Sequence, residues 1–185
     1  YQEGSGKVKP ELNLAIKWFE KAGEMGSYLA YHNLGVMFGN GNGVKRDHKK
    51  AAAYYRKAAE MGFAGSQNNL GWSYYKGEGV PKNYGLAIYW ITRSAEQGEP
   101  FAYGSLGEMR FYAHGFPADD VEAYKWLQLA DNSLPEGKAK DDNMRLLKAI
   151  EKRMKPDEIK QGAALVTVWR SLKQTRELMG NKCEG

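Results

Sequence analysis

A recurrence every 36 residues runs through most of this 185-residue chain. Units of this length that recur in register stack on one another, because a single unit cannot bury its apolar face alone. The recurrence therefore predicts a solenoid rather than a domain with one central core. Four columns carry it: Leu34-Gly35, Leu70-Gly71 and Leu106-Gly107; Ala15, Ala51, Ala87 and Ala123; Trp18, Tyr54, Trp90 and Trp126; and Ala22, Ala58, Ser94 and Ala130.

Each unit is predicted to contain two helices joined by a glycine turn. Small and apolar residues at helical spacing, such as Ala51, Tyr54 and Ala58, indicate one buried face per helix. Asp47, Asn83 and Asp119 are suited to capping the second helices. The predicted first helices cover residues 27–39, 65–76 and 100–113, and the second helices cover 47–61, 83–97 and 119–133, with turns at Gly41, Gly43, Gly77 and Gly79.

Glycine in the middle of a helix costs about 1 kcal/mol relative to alanine. Gly35, Gly71 and Gly107 repeat this cost in one column, so two helices are expected to approach closely there. The predicted opposing surfaces are Ala51, Ala87 and Ala123, and the periodic residues Trp18, Trp90 and Trp126 are predicted to be core.

The predicted fold class is all-α, a right-handed α/α superhelix of 36-residue helix-turn-helix repeats. The array is expected over residues 1–137, with a partial first repeat at 1–26 that follows the end of a helix at Tyr1. Two helices within 138–179 are predicted to cap the array, and 180–185 is a tail. Full repeats are expected at 28–62, 64–98 and 100–134, and the apolar stripe of the caps at Met144, Leu147, Ile150, Met154, Ile159, Val166, Trp169 and Leu172.

The columns, together with the turn Gly-x-Gly-Val, resemble the Sel-one-like repeat, a relative of the tetratricopeptide repeat. The resemblance covers residues 1–134, and the third full unit departs from it at Arg110 and Leu134. It implies a role as an adaptor, an assembly factor or an immunity protein against a secreted toxin. Many bacterial members are exported, so the resemblance also implies a periplasmic or otherwise exported protein.

The sequence offers little material for catalysis. Its single cysteine, Cys183, excludes an internal disulfide, and its three histidines show no metal-ligand spacing. The glycines of 39–43 resemble a phosphate loop, but they follow a predicted helix and recur as a hairpin turn. We therefore expect no enzyme activity, no cofactor and no metal site. A cell-wall or β-lactam hydrolase, as suggested for some relatives, is the alternative from another class.

Charge and hydropathy narrow the class of partner. Residues 1–137 hold 15 Lys/Arg and 15 Asp/Glu, whereas 138–185 hold 12 and 7. The main part thus lacks a net basic surface, and nucleic acid is not expected as a partner. No apolar run is long enough to span a membrane. The excess cations are predicted to form a solvated helix face: Lys148, Lys152, Arg153, Lys155 and Lys160.

The leading hypothesis is a monomeric, non-enzymatic module that binds a protein or peptide on its concave face. In the related tetratricopeptide geometry, the first helix of each repeat lines that face. Trp72, Tyr75, Phe111 and Tyr112 are either groove anchors or extra core, because the aromatic core column is already filled. An assembly factor that acts through its edges remains a further alternative. The candidate partner-binding residues are His32, Val36, Asn68, Trp72, Tyr75, Lys76, Phe101, Glu108, Phe111 and Tyr112.

Overall fold

The computed structural model describes residues 10–180, and within that range the chain forms nine α-helices and no strand. This confirms the predicted all-α helical repeat fold. The predicted helix end at Tyr1 and the part of the predicted tail that holds Cys183 lie outside the described residues. The helices are α1 (Pro10–Glu24), α2 (Tyr28–Asn40), α3 (His48–Glu60), α4 (Ala64–Lys76), α5 (Tyr84–Glu96), α6 (Pro100–Phe111), α7 (Asp120–Asp131), α8 (Lys138–Glu151) and α9 (Pro156–Gly180).

The helices of the full repeats begin and end within two residues of their predicted bounds. Their second helices start at the predicted caps. Side-chain oxygens of Asp47, Asn83 and Asp119 accept hydrogen bonds from backbone N–H groups three residues later, at 3.0, 2.9 and 2.9 Å. Each bond satisfies one of the N–H groups that a helix start leaves unpaired. The polar residue before each second helix therefore fixes where that helix begins.

The chain divides into two compact units, Tyr1–Ser94 and Ala95–Gly185, with the boundary inside α5. In the first unit, Leu34 and Phe38 of α2 pack against Ala51 and Ala58 of α3. In the second unit, α7 packs against the two C-terminal helices, and Leu147, Ile150 and Met154 are buried in that core. The predicted capping helices therefore cover α7, although Leu172 is exposed and does not continue their apolar stripe.

The glycine column does mark close approaches between helices. A Cβ atom on Gly35 would lie 2.5 Å from the Tyr55 ring, and one on Gly107 would lie 2.7 Å from Leu127. A Cβ atom on Gly71 would meet the Ile91 side chain in the same way. The nearest opposing side chains, Tyr55, Ile91 and Leu127, stand one helical turn after the predicted Ala51, Ala87 and Ala123. At Gly71 the helices do approach at the predicted residue, because the carbonyl oxygen of Ala87 lies 3.1 Å from the added Cβ.

The aromatic column is not uniformly core. Trp126 is 6% exposed, as predicted, but Trp18 is 60% exposed and Trp90 is half-buried. The prediction for Trp18 is wrong, because most of its surface is open to solvent and the Lys21 ammonium lies 5.5 Å from its ring centroid. The 36-residue period places Trp18, Trp90 and Trp126 on the same face of their helices, but it does not determine which residues pack on that face.

Candidate partner-binding cleft

The first unit contains a cleft between the first helices α2 and α4, with α3 as its floor. Its volume is about 170 Å³. We call it the α2–α4 cleft. It is lined by Gly39 and Asn40 of α2, His48, Ala51 and Tyr55 of α3, Asn69, Trp72, Ser73 and Lys76 of α4, and Glu78 of the following turn.

Trp72 forms one wall of the α2–α4 cleft. Its ring is half-buried, and the exposed ammonium of Lys76 lies 5.1 Å from the ring centroid, within range of a cation–π interaction. The ring of Tyr75 meets Trp72 edge-on at 4.8 Å and lies 5.7 Å from the ring of Tyr84. Trp72 and Lys76 therefore line the cleft, whereas Tyr75 stands behind Trp72 and holds its ring in place.

The floor of the α2–α4 cleft carries polar groups. Tyr55 is half-buried and hydrogen-bonds with the Asn69 side chain. Burial raises the pKa of the Tyr55 phenol, and the bond with Asn69 offsets part of that rise. At the mouth, His48 Nδ1 lies 3.8 Å from Glu78 Oε2. The cleft thus offers a neutral phenol and amide groups as well as aromatic surface.

His32 joins α2 to α4 at the base of the same unit. Its Nδ1 lies 2.9 Å from Ser66 Oγ, and its ring meets Phe63 edge-on at 4.9 Å. Burial lowers the pKa of the His32 imidazole, because the charged form loses solvation. His32 therefore acts as a half-buried contact between repeats. Val36, one turn later on α2, is partly exposed.

Asn68 is the predicted residue least able to contact a partner. It is only 5% exposed on α4, in the column next to the cleft-lining Asn69. Asn68 stands one turn before Trp72 on the same face of α4, so its burial comes from the packing around the start of that helix, where Ser66 and Gln67 are buried too.

The four candidates of the second unit separate into two kinds. Phe101 and Tyr112 are exposed, and Glu108 is half-buried on α6. Phe111 instead packs against the core that α7, α8 and α9 build, with the Arg153 guanidinium 4.5 Å from its ring centroid. Of the two alternatives for Phe111, its contacts favour extra core over groove anchor.

A sequence model of the Sel1 repeat matches four stretches of the chain, residues 1–27, 29–63, 64–99 and 100–130. The chain belongs to the Sel1 repeat family. Sel1 repeat proteins are generally protein-interaction modules and non-catalytic scaffolds.

Two solved structures show the same fold. One is a protective antigen of uropathogenic Escherichia coli with an SLR fold, at a TM-score of 0.74 and 31% identity over 85% of this chain. The other is a Sel1 repeat protein from Oxalobacter formigenes, at a TM-score of 0.65 and 27% identity over 89% of this chain. The chain spans 32% and 64% of those two proteins. A comparison with curated protein sequences gives no match.

Trp72 and Lys76 are the only lining residues of the α2–α4 cleft that the sequence analysis of this Sel1 repeat chain proposed for partner binding, and Tyr55 and Asn69 are among those it missed. The column of Tyr55 continues as the aliphatic residues Ile91 and Leu127, which fill the space above the mid-helix glycines. A tyrosine in that column is longer and carries a hydroxyl, which lies 3.4 Å from a Cβ built on Gly39. A residue with a hydroxyl, in a column otherwise held by the apolar residues Phe19, Ile91 and Leu127, was therefore the available signal.

Within residues 10–180, no group of three His, Cys, Asp or Glu side chains is arranged to hold a metal ion. No helix of the described part of the chain is both long and apolar enough to cross a bilayer.

Proposed function

We propose that this chain is a non-enzymatic interaction module that binds a segment of a protein partner in the α2–α4 cleft. The observation that carries the proposal is the convergence of Trp72, Tyr55 and Asn69 on one open cleft, with Lys76 at its edge. Tryptophan and tyrosine are enriched among the residues that dominate the binding energy of protein interfaces. They bury much surface with only two side-chain torsions each, so little conformational entropy is lost.

The size and polarity of the cleft suit a peptide segment. At about 170 Å³ it is smaller than typical small-molecule pockets of roughly 300–1,000 Å³. It has room for one or two side chains of a partner. The amides of Asn40 and Asn69 supply donors and acceptors for the backbone of an extended segment. Packing on Trp72 would contribute affinity, and the amides would fix the orientation of the segment.

The repeat itself does not require these side chains. The column of Trp72 holds Val36 and Glu108 in the other full repeats, and the column of Lys76 holds Asn40 and Tyr112. Residues that vary between repeats while the core columns persist are not fixed by the fold, so they are available for another role. We attribute that variation to recognition of one partner.

The similarity to bacterial relatives supports a proposal for the location of this protein and the kind of partner it binds. We propose an exported or periplasmic protein that acts as an envelope adaptor or as an immunity protein against a secreted effector. The likeness to a protective antigen of a pathogenic bacterium supports a place where the protein meets other molecules of the envelope or the host. A toxin gene adjacent to the gene for this chain would favour the immunity role, and its absence would favour the adaptor.

A site-specific photo-crosslinker tests the cleft. A benzophenone amino acid in place of Trp72 is expected to capture a partner in native cells, while the same group in place of Trp18, which is exposed outside the cleft, is expected to capture none. The captured protein is then purified and its affinity measured. Trp72→Ala combined with Tyr55→Phe should weaken that affinity by tenfold or more, about 1.4 kcal/mol.

The control is Trp18→Ala, which removes an equally large exposed ring and should leave the affinity unchanged. Circular dichroism of each variant checks that the helices remain. Full affinity of the Trp72→Ala, Tyr55→Phe variant, with its helicity intact, would reject the α2–α4 cleft as the binding site.

A further inference from the structure

The zero net charge of residues 1–137 conceals a strong local imbalance. Residues 1–94 hold 13 Lys/Arg and 7 Asp/Glu, whereas residues 95–137 hold 2 and 8. The first unit is therefore basic and the third repeat acidic. Within the first unit the cations are concentrated in one short segment, Lys45-Arg46-Asp47-His48-Lys49-Lys50, where the chain enters α3.

This segment borders a second cleft of the first unit, with a volume of about 480 Å³. The two clefts lie on different faces of α3, because Lys50 and Tyr54 line this one and Ala51 and Tyr55 line the α2–α4 cleft. We call the second one the basic cleft. Its rim carries Lys45, Arg46 and Lys50, and its other walls come from α1, the last turns of α2 and the α2–α3 turn.

The floor of the basic cleft is apolar. Phe38 and Val44 are largely buried beneath it, and the Tyr54 ring stacks on Phe38 at 5.7 Å with an interplanar angle of 16°. The Lys50 ammonium lies 4.9 Å from the centroid of the Phe38 ring. Ile16 of α1 closes the opposite side. Cations around an apolar floor match a ligand that presents both negative charge and an apolar side chain.

The two carboxylates of the basic cleft are already engaged. Glu20 accepts a hydrogen bond from the Tyr54 hydroxyl at 2.5 Å, and Asp47 accepts one from the Lys50 backbone N–H at 3.0 Å. No carboxylate of residues 10–180 forms an ion pair with Lys45, Arg46 or Lys50 within 4 Å. The start of α3 adds the positive end of its helix dipole. The rim therefore presents positive charge that no described carboxylate pairs with directly.

The repeat fold does not require this cluster. The columns of Lys45, Arg46 and Lys50 hold Pro81, Lys82 and Leu86 in the second full repeat. In the third they hold Pro117, Ala118 and Glu122. The same turn and the same helix start are thus built three times, and only the first copy carries three cations there.

We propose that the basic cleft binds an acidic segment of a protein, independently of the α2–α4 cleft. Aspartate or glutamate side chains of that segment pair with Lys45, Arg46 and Lys50, and an apolar side chain rests on Phe38 and Val44. An acidic protein segment fits better than nucleic acid. Glu20 and Asp47 interrupt the rim and would repel a continuous track of phosphates, whereas carboxylates of a peptide can be spaced to avoid them.

Peptide selection tests this proposal. A random peptide library is selected against the full chain at low salt, and the recovered peptides are expected to combine Asp or Glu with an aromatic or aliphatic residue. Their affinity should fall about tenfold or more in the variant Lys45→Glu, Arg46→Glu. It should also fall as salt rises, because the rim cations are exposed.

The matched control is Lys82→Glu, Arg93→Glu, which makes the same change in net charge on exposed cations that do not line the cleft. It should change the affinity by less than about twofold, and so should Trp72→Ala, which separates this site from the α2–α4 cleft. An equal loss in the Lys82→Glu, Arg93→Glu control would show a response to net charge alone and overturn the proposal.

Two further outcomes would also overturn it. One is recovery of peptides without acidic residues. The other is an absence of peptide binding combined with binding of a single-stranded oligonucleotide or of vesicles with anionic lipid that Lys45→Glu, Arg46→Glu abolishes. Either result would assign the cleft to a different class of ligand.

Discussion

Trp18 in the first unit and Trp126 in the second occupy the same column of the repeat, yet they differ tenfold in exposure. The Trp126 ring lies 5.9 Å from Tyr103 of α6 and 4.8 Å from Trp169 of α9. Trp18 has the Lys21 ammonium 5.5 Å from its centroid and is otherwise open. A repeat period fixes where a side chain stands on its helix, and the neighbouring element decides whether that side chain becomes core.

The hairpin turns of the two units differ in the residue that adopts the left-handed backbone conformation. Gly41 and Gly77 adopt φ of 76° and 77°, in the left-handed region, and Gly43 and Gly79 repeat this two residues later. In the third repeat, Ala113 stands at the column of Gly41 with φ of 55°. The turn keeps its backbone after losing its glycine, so the strain falls on an alanine Cβ.

The largest expected effect on the free energy of unfolding comes from removing the Trp169 ring, which packs on Trp126. Trp169→Ala removes a half-buried ring that packs on Trp126 and Tyr103 and lies near Lys125, and it should lower the free energy of unfolding by about 3 kcal/mol. Urea unfolding measures this. Leu172→Ala, at an exposed position one turn later on α9, should change it by less than about 0.5 kcal/mol. Equal losses in the two variants would show that α9 does not depend on this aromatic contact.

Two glycines on α6, Gly107 and Gly104, allow a close contact between helices to be compared with a loose one. A Cβ atom at Gly107 meets Leu127 at 2.7 Å and the Leu127 backbone nitrogen at 3.1 Å, whereas one at Gly104 finds only contacts of 3.8 Å or more. Gly107→Ala should therefore destabilise the fold by about 1–3 kcal/mol, because α7 must move.

Gly104→Ala on the same helix should stabilise the fold by about 0.5–1 kcal/mol, since alanine favours the helix. Thermal and urea unfolding of both variants measure the difference. A stable Gly107→Ala variant would mean that the approach of α6 to α7 is looser than the geometry indicates.

The sequence predicted what the period controls and missed what single neighbours control. The caps at Asp47, Asn83 and Asp119 follow from local chemistry, so they were predictable. The exposure of Trp18, the burial of Asn68 and the path of Tyr55 past Gly35 depend on contacts made across helices. The three rim cations of the basic cleft, Lys45, Arg46 and Lys50, stand close together in the sequence, but a charge sum over residues 1–137 concealed this local excess.

A smaller effect is expected at the third hairpin turn. Ala113→Gly should raise the free energy of unfolding by about 1 kcal/mol, because glycine adopts positive φ without the Cβ penalty. Gly41→Ala should lower it by a similar amount, which makes the two substitutions mirror images of one another. Urea midpoints measure both changes. If Ala113→Gly is neutral, the third turn relaxes without cost and the columns of the two units are equivalent in energy.

The smallest effect is a pH dependence that separates His32 from its counterpart in the next repeat. Burial lowers the folded-state pKa of His32 below its ordinary value of 6.5, so the unfolded chain binds more protons as the pH falls. Stability from the neutral imidazole is complete above about pH 6.5 and declines as the pH falls through that value toward the folded-state pKa.

The second repeat has Asn68 in the same column, and its amide does not titrate. His32→Asn should therefore flatten the change in urea midpoint between about pH 7.5 and about pH 5.5, within the range where histidine titrates. An unchanged slope in His32→Asn would mean that other groups carry the pH dependence and that the contact between His32 and Ser66 is insensitive to protonation.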